Sequence, residues 1–225
     1  MNIYVKRVSS PELWRECASA TTGHDCKMSW GKMLAMGHSP IRASIWFIRL
    51  EDIPLFVASQ LVRSHVGVQF FQRSKRTDRG SVDFRIECHD FGQRLDGIAE
   101  LINDGVSEED AESVVEVLDD METEVKEWPA KFDRHAPTDL AFIINAEALI
   151  NMAHKRLCSK ASKETRDIVR KICELIEEQD PDLYQHLVPQ CIYRGGICPE
   201  QKCCGYNTTE TFKKALGQYR LLFVN

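Results

Sequence analysis

From Met1 to Lys6 apolar and polar residues alternate, the two-residue period of a half-buried strand. Pro11 to Ala20 has helical spacing and is entered through Ser10, a helix-start residue. Pro40 to Leu50, with Ile41, Ile45, Phe47 and Ile48, reads as a second strand, and Glu51-Asp52-Ile53-Pro54 is the break before the next element. The apolar run from Pro54 to Val62 reads as a buried strand or helix, which periodicity alone does not distinguish. Phe91 to Asn103 fits a helix ended by Asp104-Gly105. An acidic helix comes after it, with Ser107 as candidate N-cap and Asp110 in the capping-box position. Thr138 to Cys158 places Leu140, Ile143, Ile144, Ala148, Leu149, Met152 and Ala153 at helical spacing and predicts one long helix, with His154 and Lys155 on its surface. Thr165 to Glu178 is a further amphipathic helix, closed before Pro181. Mixed elements of this kind predict an α+β fold in a single domain over residues 1–225, large enough for a sizeable core, with a Cys-rich tail from about 186.

Composition narrows the setting. No apolar stretch is long enough to span a bilayer and no signal-type run opens the chain, so the expectation is a cytoplasmic protein with no membrane partner. Nine cysteines in that setting argue for reduced thiols or a metal site over a disulfide framework. A formal net charge of −5 argues against direct nucleic-acid binding, which needs a basic face. The acid is concentrated from Glu108 to Glu127, most simply a solvated helix face. In the tail, Cys191, Cys198, Cys203 and Cys204 share a Gly- and Pro-containing turn, with Cys158 or His186 as a further donor. Zinc, an iron–sulfur cluster and plain reduced thiols all stay open there, and no metal ligand is assigned.

The candidate chemistry lies where the apolar run ends. Gln60, Arg63, Ser64 and His65, followed by Gln72-Arg73-Ser74-Lys75-Arg76, bring an amide, forked guanidiniums and hydroxyls to the edge of a core, a set suited to phosphate oxygens and a base edge. The plain alternative for the arginines is a solvated loop patch. These residues resemble the signature of the flavin-dependent thymidylate synthases: Arg-His-Arg, seven residues, then Ser, with a Gln three residues before the first Arg. Gln60 and Arg63 match its start, and Ser74-Lys75-Arg76 matches its close after a one-residue insertion. A second block, Asn145, Asn151 and Arg156, followed by Ala161-Ser162-Lys163-Glu164-Thr165-Arg166, resembles the family's Asn, five residues, Asn, four residues, Arg, then Ala-x-x-Glu-x-Arg. Bonding to neighbouring backbone is the plain alternative for the two Asn. His38 after Gly37 resembles an early Gly-His, and the likeness runs from Gly37 to Arg166.

The resemblance implies a flavin-dependent thymidylate synthase-like fold, a mixed sheet with long helices, in a homotetramer whose sites are shared between subunits. It implies FAD as cofactor, NADPH and methylenetetrahydrofolate as co-substrates, and dUMP as the acceptor of a one-carbon unit at C5, with no cysteine nucleophile. By the same likeness Gln60, Gln72, Ser74, Arg76 and Arg156 bind the nucleotide, Arg156 and Ser74 being the catalytic pair. His38, Arg63, Ser64, His65, Asn145 and Asn151 surround the flavin. Ser64 and His65 depart from the family's His-Arg, Glu147 stands where an Arg is usual, and Gln72 replaces an acid. These departures leave two alternatives open: a pyrimidine-nucleotide hydroxymethylase or other base-modifying enzyme, and a non-catalytic nucleotide-binding or assembly protein.

Overall fold

The computed structural model describes residues 1–73, 84–105, 107–132, 134 and 136–224, so Ser74 and Arg76 lie outside the described residues. The chain divides into two compact units, one of residues 1–53, 57–72 and 139–225, the other of residues 54–56 and 73–138.

In the larger unit, strands β1 (Asn2–Arg7), β2 (Ile45–Pro54), β3 (Val68–Gln72) and β4 (Pro137–Asn145) form a sheet in the order β1-β2-β4-β3. β1 runs antiparallel to β2, with Val5 opposite Ile48, and β3 antiparallel to β4, with Phe70 opposite Phe142. Between β2 and β4, the Asp52 N–H donates to Asp139 Oδ1 (3.0 Å) and the Ala146 N–H to the Ser44 carbonyl (2.9 Å). Numbers rise on one strand as they fall on the other, so this pair is antiparallel too. The expected mixed sheet is therefore corrected to an antiparallel one. A parallel neighbour needs a crossover that carries the chain back along the strand. Here β2 begins beside the end of β1, and β4 beside the end of β3.

The predicted helix over 138–158 is likewise corrected. Leu140, Phe142 and Ile144 are all fully buried, the alternation of a strand, and only after Asn145 does the chain turn helical as α6 (Ala146–Arg156). Asn145 Oδ1 caps α6 by accepting the Ala148 N–H at 2.9 Å. The strand expected from Pro40 opens as a 3-10 turn, Ser39–Ala43, and runs on to Pro54. The ambiguous apolar run is helix α3 (Leu55–Leu61).

Helices α1 (Leu13–Thr22), α2 (Trp30–Met36), α7 (Lys163–Glu177), α8 (Pro181–Tyr184), α9 (Gln190–Tyr193) and α10 (Glu210–Leu221) complete this unit. α7 packs on β1 through Ile168, Val169, Ile172 and Ile176 on its buried face. The N-terminal strand is pinned to the end of α7 by buried Asp180. Its carboxylate accepts from the Trp30 indole (3.0 Å), the Leu183 N–H (3.0 Å) and the Arg7 guanidinium (3.3 Å). The tail is packed as well, since Ile192, Phe212, Leu216 and Tyr219 form a buried apolar cluster of their own.

The smaller unit contains α4 (Phe84–Asp104) and α5 (Glu108–Phe132), packed on each other and joined by an Arg94–Glu124 ion pair. As expected, α4 stops before Gly105, which has φ +92°. Within this unit the Leu55 and Phe56 N–H groups donate to the Ala136 and Arg134 carbonyls, each at 2.9 Å. No helix among the described residues is long and apolar enough to cross a membrane.

Candidate functional site

The last turn of α3 carries Gln60, the turn after it Arg63, and the last residue of α6 is Arg156. All three line one cavity of about 420 Å³, together with Lys160 and Ser162 from the α6–α7 connection. Arg156 Nη2 donates to the Gln60 carbonyl, while its Nε–H is buried without a partner. Burial, and then the charge of Arg63, push the Arg156 guanidinium below its usual pKa. An anionic ligand in the cavity would offset the charge of both guanidiniums.

Gln60 is held in one orientation by a chain of hydroxyls. The Ser162 side chain accepts the Thr165 N–H (3.3 Å) and donates to Thr165 Oγ1 (2.9 Å), which in turn donates to Gln60 Oε1 (2.9 Å). With its amide oxygen satisfied by fully buried Thr165, Gln60 keeps its NH₂ group to donate to an acceptor in the cavity.

The other expected site residues are distributed differently. Ser64 is half-buried, its N–H bonded to the Leu61 carbonyl, and His65 is exposed with Nδ1 3.2 Å from the Arg63 carbonyl oxygen. Asn145 caps α6, whereas Asn151 faces solvent on the same helix side as Glu147 and Lys155. His38 lines a separate cavity of about 470 Å³ with Met33 and Pro40. Gln72 is exposed at the end of β3. Glu147, the carboxylate where the family has a cation, is held by Arg42 in a two-pronged pair at 2.6 and 3.2 Å.

Three contributors escape a reading of the sequence. Gly67, in the loop before β3 with φ +75°, lies so close to α6 that a Cβ there would stand 2.7 Å from Asn145 Nδ2 and 3.0 Å from the Ala148 Cβ. Its position in a short loop before a strand is the one available sign. Thr165 gives no signal, because its partner is 105 positions away. His154 corrects the expectation of a surface residue: it is 5 % exposed, covered by the tail, with its ring stacked on Tyr193 at 4.4 Å between centroids. Burial, then the charge of His186, lowers its pKa to about 4. Lys155 is exposed, as expected.

A presented amide NH₂ and two guanidiniums define a site for a small anion with carbonyl or phosphate acceptors. The family model described as "Thymidylate synthase complementing protein" matches residues 19–182, and the chain belongs to that family, the flavin-dependent thymidylate synthases. It is 22 % identical over 201 residues to the flavin-dependent thymidylate synthase of Saccharolobus solfataricus, covering 83 % of this chain and 68 % of that one. It is 27 % identical over 168 residues to the enzyme of that name from Sulfurisphaera tokodaii, covering 68 % of this chain and 58 % of that one.

Proposed function

We propose that this chain is a flavin-dependent thymidylate synthase that transfers a one-carbon unit from methylenetetrahydrofolate to C5 of dUMP, acting in the cytoplasm as a homotetramer. The observation that carries this reading is the convergence of Gln60, Arg63 and Arg156, three matches to the two family motifs, on one cavity. Arg156 lines the cavity and would offer its guanidinium to a uracil carbonyl or phosphate oxygen, and the Gln60 NH₂ provides a second donor that fixes the orientation of the nucleotide. The Gln60–Thr165–Ser162 chain holds that donor in place before the ligand arrives.

The residues also fit a flavin. Arg63 and His65 stand exposed between α3 and β3, ready to meet phosphate or ring carbonyl oxygens, and the Glu147 carboxylate is neutralised by Arg42. When bound and reduced by NADPH, FAD supplies the hydride. His38, Asn151 and Gln72, which lie away from this cavity in their own chain, would serve the site of a neighbouring subunit.

Titration of the purified protein with FAD and calorimetry with dUMP test the reading. Saturable uptake of both is expected, with transfer of the one-carbon unit to dUMP when NADPH and methylenetetrahydrofolate are added. A protein that takes up neither FAD nor dUMP refutes it.

A further inference from the structure

The family match ends at residue 182, yet the chain beyond it lines the cavity that holds Arg156, through Gln190, Cys191, Cys198, Glu200, Cys204 and Asn207. This tail is fixed in place. The Tyr193 ring, at the end of α9, stacks on buried His154 of α6, and Ile192 of α9 packs with Phe212, Leu216 and Tyr219 of α10. The loop between α9 and α10 is therefore anchored at both ends.

Within the loop the backbone turns at Gly195, Gly196 and Gly205, with φ of +67°, +111° and +83°. Asn207 holds these turns together. Its Nδ2 donates to the Gly196 carbonyl at 3.0 Å, and its Oδ1 accepts from the Cys203 thiol at 3.2 Å, whose sulfur accepts the Gly205 N–H at 3.4 Å. Both ends of the amide are engaged with the loop, and Glu200 lies inside the segment they hold.

The cavity is unevenly charged. Arg63, Lys155, Arg156 and Lys160 line it, and among the described residues none of the four is in an ion pair. Glu200 is the one carboxylate on its described lining, and it is in no ion pair either. A carboxylate repels a phosphate, so its place in a cavity for an anionic ligand needs another reason. Ionised, it only accepts hydrogen bonds, and it therefore matches a donor on the ligand. The uracil edge carries one such donor, N3–H, between two carbonyl oxygens. Donors for those oxygens stand on the same cavity, in the Arg156 guanidinium and the Gln60 NH₂. Cytosine has a bare acceptor at N3, so a carboxylate there would set two acceptors against each other. Building on the reading of this cavity as a nucleotide site, we propose that Glu200 accepts the uracil N3–H and selects uracil over cytosine, and that Asn207 positions Glu200 by holding its loop.

Calorimetry with dUMP and with dCMP on the full chain tests this, because the two ligands carry the same phosphate and differ only at the base edge. Wild type should prefer dUMP. Glu200→Gln should weaken dUMP about five- to tenfold, the difference between a charged and a neutral hydrogen bond, and should bind dCMP as well or better, since its amide can turn an NH₂ toward N3. Asn207→Ala should also shrink the preference for dUMP. Cys203→Ser should keep it, because a hydroxyl can donate to Asn207 Oδ1 in place of the thiol. Alkylation of the wild-type chain with iodoacetamide, read by mass spectrometry, guards against variants that fail to fold: dUMP should slow modification of Cys198 and Cys204 and leave Cys17, in α1, unaffected. A ratio of dUMP to dCMP affinity unchanged in Glu200→Gln, whatever happens to its melting temperature, overturns the proposal. So does equal alkylation of Cys198 and Cys204 with and without dUMP. Wild type that takes up neither nucleotide overturns it as well, and FAD uptake by the same samples shows whether the proposed reaction falls with it.

Discussion

Replacing Arg156 by Met keeps most of the side-chain volume and removes the charge, and its effects on stability and on binding should separate. In the ligand-free protein the guanidinium makes one hydrogen bond, from Nη2 to the Gln60 carbonyl, and leaves Nε–H buried without a partner. A hydrogen bond to a charged group contributes about 1.5–3 kcal/mol, and an unsatisfied buried donor costs about 1–3 kcal/mol. The two nearly cancel, so the unfolding free energy should move by less than about 2 kcal/mol. With dUMP bound the balance differs, because the guanidinium lining the cavity would also donate to the ligand. Loss of that charged hydrogen bond should weaken dUMP by about 1.5–3 kcal/mol, roughly ten- to 150-fold in Kd. Urea unfolding monitored by circular dichroism gives the first quantity and calorimetry with dUMP the second. A variant that loses more than about 3 kcal/mol of stability yet binds dUMP as tightly as wild type would show that Arg156 holds the α3–α6 contact and does not recognise the nucleotide.

Thr165→Val should lower both stability, by about 1–3 kcal/mol, and dUMP affinity, because it leaves Gln60 Oε1 without its donor and the Ser162 O–H without its acceptor, and lets the Gln60 amide turn. Thr165→Ser should restore the affinity, and calorimetry checks both variants. Gly67→Ala should cost about 2 kcal/mol in a thermal melt, since a Cβ in the left-handed conformation would also press on the Asn145 cap. An unchanged melting temperature would contradict the close approach. For His154, the folded pKa of about 4 lies below the ordinary 6.5, so the unfolded chain takes up the proton first. Stability is therefore full above pH 6.5 and falls as the pH drops from there toward 4, by about 2 kcal/mol at pH 5. The difference in urea midpoint between wild type and His154→Phe, measured at pH 7 and pH 5, should shrink or reverse at the lower pH. A difference independent of pH refutes the burial of a neutral imidazole.

The chain's residues determined by themselves what depends on local spacing. Gln60 and Arg63 are three positions apart and so leave the end of α3 together, while the Asn145-to-Arg156 block marks the family whatever its conformation. The C-terminal ends of α4 and α7 and the strand at the N-terminus were legible for the same reason, since caps, glycines and apolar periods act over a few residues, whereas α4 starts at Phe84, ahead of the expected Phe91. Tertiary structure decided the rest. Leu140, Ile143 and Ile144 satisfy a helical spacing as readily as Leu140, Phe142 and Ile144 satisfy an alternating one. Pairing with β2 and β3 on either side makes the segment a strand, because its N–H and C=O groups find partners there. The same packing turned Asn145 from a mid-helix polar residue into a cap. Burial of His154, the Thr165 hold on Gln60 and the tail's place on the Arg156 cavity all join residues far apart in the chain. Such contacts depend on which surfaces the core brings together, and no local period records that.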